Sequence, residues 1–129
     1  MQFWLHRSWS KCKGINFDSD LPPDDYDDLE ALASRYARAC DIVYQKMFRC
    51  VDTIEMAPKG SLLDAVHRAE KRGFFESELQ ARQLRELRNE VVHEYASANL
   101  RYLLERIVGA SQELLIIMDK AAAYAQRYV

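Results

Sequence analysis

The spacing of the apolar residues constrains this chain more than any other feature, because they recur at steps of three and four from about residue 24 to the C-terminus. Such steps place side chains on one face of an α-helix, whereas a half-buried strand alternates with period two. No stretch of the sequence alternates for long enough to require a strand. The sequence therefore predicts an all-α fold.

Residues that start and end helices divide this pattern into four predicted helices. Pro58 and Gly60 end the first helix. Ser61 and Ser77 occupy capping positions at the starts of the next two, and Gly73 ends the second. The predicted helices span about residues 24–57, 61–73, 77–95 and, from Ser97 or Asn99, to about 128. Four helices with short connections favour an antiparallel four-helix bundle.

The first 23 residues are rich in turn-forming residues, so they are predicted to be an irregular N-terminal arm that precedes one helical domain at residues 24–129. Phe3, Trp4 and Trp9 make this arm more apolar than a free tail, and we expect it to pack on a neighbour such as a second subunit.

Charge is distributed unevenly along the chain. Of its 20 acidic residues, seven lie in residues 18–30, which leaves 13 acids against 18 bases elsewhere. We interpret the acidic segment as a solvated helix start, with a docking surface for a partner as the alternative. The net charge of -2 argues against a general polyanion binder, but the mildly basic remainder leaves room for a local phosphate site.

The composition favours a cytoplasmic protein that has no contact with a membrane. No segment approaches the roughly 18 unbroken apolar residues of a membrane span, and the apolar stretch at the N-terminus is too short for a secretory signal. Cys12, Cys40 and Cys50 form no Cys-x-x-Cys pair. We interpret them as small buried hydrophobic residues in a reducing compartment.

The third predicted helix carries the most informative stretch, because its polar residues gather on one side. At about 100° per residue, Leu84, Leu87 and Val91 share the face toward the core. The rest of the surface forms what we call the polar arc, which holds Arg85, Arg88, Asn89, Val92, His93 and Tyr95.

Each residue type on the polar arc suits the cleavage of a phosphodiester. Arg88 can fork onto two phosphate oxygens and stabilise charge that grows at phosphorus. His93 can give or take a proton near neutral pH, and Asn89 can orient it or the phosphate. Tyr95 can stack on a base. Arg82 and Arg85 continue a basic line along the helix, a track for an RNA backbone.

Cleavage by attack of a 2′-hydroxyl needs both a base and an acid, and His93 is a single histidine. His6 and His67 lie in other segments without a motif around them. A two-fold dimer would bring a second His93 and a second Arg88 into one cleft. Val92, apolar inside the polar arc, fits such an interface. The sequence therefore favours a composite site in a homodimer.

On spacing alone, such residues more often have ordinary surface roles. An Arg and a His on one helix are usually a surface ion pair and a satisfied histidine. Arg82 and Arg85 are typical of a solvated face, and Tyr95 of an aromatic residue at the edge of a bundle.

The segment from Arg88 to Tyr95, Arg-Asn-Glu-Val-Val-His-Glu-Tyr, resembles the signature of the HEPN superfamily: Arg, often followed by Asn, then four to six residues before His. Four intervening residues with Tyr two after His resemble HepT-type toxins. The wider resemblance covers about residues 26–128, and the first 23 residues have no counterpart.

This resemblance implies a dimeric helical bundle and a metal-independent ribonuclease without a cofactor. Arg88 and His93 would be catalytic and Asn89 supporting. HepT-type toxins are paired with a minimal nucleotidyltransferase antitoxin, which can transfer AMP to the Tyr of the motif, here Tyr95. In agreement, no set of His, Cys, Asp and Glu in the sequence has the spacing of metal ligands.

Three functions follow as hypotheses. The first is an RNA endonuclease toxin of a toxin–antitoxin pair. The second is a non-catalytic HEPN bundle that binds a nucleotidyltransferase or its nucleotide. The third is a helical dimerisation module whose polar arc is merely solvated.

Overall fold

The computed structural model describes residues 1–58, 60–93 and 100–128, and within these ranges the chain is all-α without a strand. Its elements are α1 (Gln2–Cys12), α2 (Pro23–Ile42), a π-helical segment (Val43–Met47), α3 (Phe48–Ile54), α4 (Leu62–Lys71), α5 (Glu78–His93), α6 (Leu100–Ala125) and a final 3₁₀ turn (Gln126–Tyr128). Because α2, the π segment and α3 follow one another without a break, they form one long helix, and the described ranges contain five helices in a compact arrangement.

The prediction of an irregular N-terminal arm at residues 1–23 is wrong for residues 2–12, which form the helix α1, and correct for residues 13–22, which form turns and loop. Leu5, Ser8 and Cys12 are buried at helical steps, and α1 packs on both α2 and α6. The Arg35 guanidinium of α2 donates a hydrogen bond to the Ser8 hydroxyl at 2.6 Å. The turn-forming residues that suggested an irregular arm lie beyond this helix, and Leu5 and Cys12 of α1 belong to the core. The described ranges therefore contain one helix more than the four predicted.

The long first helix confirms the prediction for residues 24–57 closely, since it runs from Pro23 to Ile54. Pro23 at its first turn fits the fixed φ of proline, and Asp24 and Asp25 lie there at the positive end of the helix dipole. The steps of three and four predict one apolar stripe along this helix, and the prediction is correct only in its first part. The predicted stripe consists of Leu29, Leu32, Tyr36, Ala39, Val43, Met47, Cys50 and Ile54. It is buried at Leu29, Leu32, Tyr36, Ala39 and Val43.

Beyond Val43 the stripe moves by one residue because of the π segment. The Phe48 amide donates to the Val43 carbonyl five residues back, which inserts one extra residue into the turn. Tyr44, Phe48 and Val51 are therefore buried, whereas Ile54 is exposed. Cys50 is exposed for the same reason, so the prediction of three buried cysteines holds only for Cys12 and Cys40.

The predicted starts of both middle helices and the predicted end of the first of them are confirmed, whereas the predicted end of the second, near Tyr95, lies outside the described residues. Ser61 and Asp64 form a capping box, in which each side chain accepts a hydrogen bond from the other's backbone amide. At the end of α4, Gly73 has φ of +85° and donates to Glu70. The Phe74 amide donates to Ala69, which completes a Schellman motif.

The directions of neighbouring helices follow from their contacts. Tyr36 of α2 reaches the Leu84 carbonyl of α5 and Tyr44 reaches that of Ala81, so these helices run in opposite directions. α5 and α6 are also opposed, because Gln80 donates to Glu113 and Arg106 donates to Glu90. α5 therefore packs along both α2 and α6. No helix in the described ranges is long and apolar enough to cross a membrane.

Candidate functional site

The helix α5 separates its residues into two faces as the sequence predicted. Leu84, Leu87 and Val91 are buried. Arg82, Arg85, Asn89 and His93 are exposed, Arg88 is partly exposed, and Val92 keeps 49% of its surface exposed between them. Tyr95 lies outside the described residues. The polar arc is therefore an outer surface of the chain wherever the structure describes it.

Two buried tyrosines of the long helix, Tyr36 in α2 and Tyr44 in the π segment, fix the position of α5. The Tyr36 hydroxyl donates to the Leu84 carbonyl at 2.6 Å, and the Tyr44 hydroxyl donates to the Ala81 carbonyl at 2.6 Å. Burial raises the pKa of both tyrosines far above the ordinary value, so both hydroxyls remain protonated donors. These bonds hold α5 in one register, with the polar arc turned outward.

Arg88 lies against the carboxylate of Asp41, which sequence reasoning did not single out. Its Nε donates to Asp41 Oδ1 at 2.9 Å and its Nη2 to Oδ2 at 2.9 Å. The side chains of Arg88 and Asp41 are 26% and 51% exposed. The hydrogen bond to Asp41 raises the pKa of Arg88 further above its ordinary value, so the guanidinium is always charged.

Asn89 lies beside this pair and links it to the basic side of α5. Its side-chain oxygen is 3.4 Å from Arg88 Nη1, the guanidinium nitrogen that Asp41 does not use. Cys40 lines the same small recess, but burial raises its pKa to about 12, so it is a neutral thiol and not a nucleophile. Arg85 and Gln45 also line this recess, so together with Arg88 and Asn89 it has four side chains that can donate to an anion.

A groove of about 280 Å³ between α4 and α5, which we call the α4–α5 groove, continues from Asn89. Its apolar lining consists of the buried Tyr44 and Ala81, the partly buried Val66 and the exposed Leu63. Its rim carries the polar residues His67, Glu78, Arg82, Arg85, Glu86 and Asn89. The groove thus brings the two predicted RNA-binding arginines onto the same surface as Asn89, next to apolar side chains.

His67, which the sequence analysis set aside for lack of a motif, also lies on this surface. It lies on α4, where its Nδ1 contacts the carboxylate of Glu78 in the first turn of α5. The carboxylate of Glu70, one turn along α4, belongs to the same cluster. No spacing in the sequence indicates this group, because it forms only when α4 packs beside α5.

In the described ranges, four of the predicted site residues therefore lie along one side of α5: Arg82, Arg85, Arg88 and Asn89. His93 lies one turn beyond Asn89, exposed at the C-terminal end of α5. Val92 lines a shallow recess with Arg88 and Asp41, so apolar surface separates the arginine from the helix end. This arrangement can bind an anion with Arg88 and present an imidazole nearby.

Comparison of the chain with models of protein families, with curated proteins and with solved structures gave no match in any of the three.

Proposed function

We propose that this chain is a metal-independent RNA endonuclease that acts as a homodimer of antiparallel, HEPN-like helical bundles. The observation that supports this most directly is the outward polar arc of α5, where Arg88, Asn89 and His93 follow one another within about a turn and a half. A solvent-facing guanidinium and a solvent-facing imidazole are what an RNA substrate and a second copy of the chain both require.

The reaction that fits these groups is internal transfer at the RNA backbone. One His93 takes the proton of a 2′-hydroxyl as its oxygen bonds to phosphorus. The bond from phosphorus to the 5′-oxygen breaks, and His93 of the second copy protonates that oxygen. The products are a 2′,3′-cyclic phosphate and a free 5′-hydroxyl. Arg88 stabilises the extra negative charge on the phosphate oxygens, and Asn89 orients the phosphate.

The α4–α5 groove gives the RNA a path away from the scissile bond. Arg82 and Arg85 on its rim can contact successive phosphates, and its apolar lining can receive a base. Because the groove begins at Asn89, a strand held there would pass directly beside Arg88.

Asp41 provides the one specific argument for a second candidate function. Its carboxylate neutralises Arg88, as expected in a non-catalytic bundle that binds a nucleotidyltransferase or nucleotide. The pair is partly exposed to solvent, however, and such pairs contribute little free energy. Asp41 occupies Nε and one N–H of Nη2, and Asn89 accepts from one N–H of Nη1, which leaves one N–H of each Nη for a phosphate.

The biological role proposed with this activity is that of a cytoplasmic toxin. Its antitoxin would be a minimal nucleotidyltransferase that transfers AMP to Tyr95 and so closes the RNA site. Mass spectrometry of the chain purified after co-expression with such an enzyme tests this directly. If Tyr95 is unmodified in fully neutralised protein, the antitoxin blocks the RNA site by covering it and not by AMP transfer.

Cleavage of RNA by the purified chain in the presence of EDTA tests the nuclease itself. His93→Ala should lower the rate by about 10²–10⁴, the usual contribution of general acid–base catalysis. His6→Ala, an exposed histidine on α1, is the matched control and should cut normally. Equal rates for the wild type and His93→Ala, with both folded by circular dichroism, would rule out the proposed chemistry.

A further inference from the structure

The side-chain cluster that joins α4 to α5 is separate from the Arg88 recess. His67 and Glu70 lie three residues apart on α4, and Glu78 lies in the first turn of α5. Each offers one ligand atom, and these three atoms all lie within 4.8 Å of one another. One imidazole nitrogen and two carboxylate oxygens from two different helices therefore converge on one point.

The charge of this cluster favours a cation. Two of the basic residues near the cluster, Arg68 of α4 and its C-cap Arg72, donate instead to Asp52, at 3.1 and 2.6 Å. The other two, Lys71 four residues after His67 and Arg82 four residues after Glu78, are exposed. Within the described part of the chain, neither Glu70 nor Glu78 forms a salt bridge with a lysine or an arginine. Two carboxylates thus share one imidazole, which leaves net negative charge at the cluster.

From this convergence and this charge, we infer that His67, Glu70 and Glu78 form a binding site for a divalent transition metal ion of the Zn²⁺ type. Zn²⁺ accepts His nitrogen and Glu oxygen at about 2.0–2.2 Å and is commonly held by three protein ligands and a water. Mg²⁺ and Ca²⁺ prefer ligand sets made of oxygen alone. The side chains of His67 and Glu78 are 46% and 49% exposed, so an ion can enter without any helix moving.

The bound ion would tie α4 to α5 across the loop that connects them. It would also place positive charge at the end of the α4–α5 groove, since His67 and Glu78 both line that groove. The site needs neither Arg88 nor His93, so it is compatible with cleavage that continues in EDTA. Its presence or absence is therefore measured independently of the proposed nuclease.

Titration of the full-length chain with ZnCl₂, followed by isothermal calorimetry and by thermal unfolding, tests the site. Zn²⁺ at about 100 times its Kd should raise the Tm by about 5–10 °C. His67→Gln and Glu78→Gln should each weaken binding at least tenfold and leave the Tm in EDTA close to that of the wild type. Mg²⁺ at the same concentration should give no shift.

Two control variants exclude other ligands of zinc. His6→Gln removes an exposed histidine, and Cys50→Ser removes the exposed thiol, so both should bind Zn²⁺ like the wild type. With Co²⁺ as the probe, the absorption spectrum should lack a thiolate charge-transfer band. A wild-type chain that binds no Zn²⁺, or binding that survives His67→Gln but fails in Cys50→Ser, would overturn the site.

Discussion

Replacing each partner of the Arg88–Asp41 pair in turn separates the role of the guanidinium from that of the ion pair. Arg88→Ala abolishes both hydrogen bonds to the carboxylate, whereas Asp41→Asn removes its charge and one of its two acceptor oxygens. Only Arg88→Ala removes the group proposed to stabilise the phosphate. The two variants should therefore match in stability and differ sharply in RNA cleavage.

The expected change in stability is small and similar for both variants. Arg88 and Asp41 are 26% and 51% exposed, and exposed pairs contribute about 0.2–1 kcal/mol. Unfolding entropy of about 2.1 cal/mol/K per residue gives roughly 0.27 kcal/mol/K for 129 residues. Either substitution should therefore lower the Tm by about 1–4 °C. Since the carboxylate left behind in Arg88→Ala stays in contact with solvent, no penalty for a buried charge is added.

The expected change in activity is large for one variant alone. Loss of a group that stabilises a transition-state charge costs about 10²–10³ in rate, so Arg88→Ala should cut RNA at least a hundredfold more slowly. Asp41→Asn keeps the guanidinium and should stay within about tenfold of the wild type. Single-turnover cleavage of a labelled RNA, with Tm from circular dichroism, provides both numbers. Equal losses of cleavage in the two variants would show that the ion pair, and not phosphate binding, explains the requirement for Arg88.

Three further changes test other parts of the structure. The buried hydroxyl of Ser111 has no hydrogen-bond partner in the described ranges. Because an unsatisfied polar group costs about 1 kcal/mol or more, Ser111→Ala should raise the Tm by about 4 °C. An unchanged Tm would mean that the hydroxyl has a partner. Hydrogen bonds, first of all from Tyr128, hold the pKa of Glu55 below its ordinary 4.5, a stabilising effect that is complete above that value and lost as the pH falls through the folded pKa. Tyr128→Phe should therefore move the midpoint of acid unfolding to higher pH, whereas the exposed control Tyr102→Phe should not. Val92→Glu should dissociate the proposed dimer in light scattering without unfolding the chain; a dimer that persists would place its interface elsewhere.

Periodicity and capping residues were sufficient to predict most of the fold. The helix limits near Ser61, Gly73 and Ser77 follow from local hydrogen bonds, which depend on residues within a few positions and so can be read from sequence. The helix α1 was missed because its buried residues, Leu5, Ser8 and Cys12, include two that are small and weakly apolar. Their burial depends on the surfaces of α2 and α6, which a local pattern does not contain.

The π segment shows a different limit of the sequence pattern. A regular helix would have kept Ile54 on the apolar stripe, but the extra residue in the turn after Val43 moves the core to Tyr44 and Phe48. Phe48 then meets the rings of Phe74 and Phe75 at 5.8 and 5.4 Å. This aromatic packing selects the wider turn, and it involves residues about 26 positions away.

The candidate site likewise has a part that the sequence could predict and a part that it could not. The outward direction of Asn89 and His93 was predictable, because positions within one helix fix each other's faces. The partner of Arg88 and the cluster around His67 were not, since Asp41 and Glu78 reach them from other helices. Contacts between helices that are distant in sequence therefore decide which groups surround the predicted residues.

The two sides of α5 differ in how strongly they are held, and this difference bears on how an RNA could bind. On the inner side, moving the helix would break the buried hydrogen bonds from Tyr36 and Tyr44, at a cost of about 1–3 kcal/mol for each group left unsatisfied. On the outer side, exchanging the Asp41 carboxylate for a phosphate breaks an exposed pair worth at most about 1 kcal/mol, and the phosphate restores the same charge-assisted bonds. A phosphate can therefore take the place of Asp41 on Arg88 while the helix that carries the arginine stays in position.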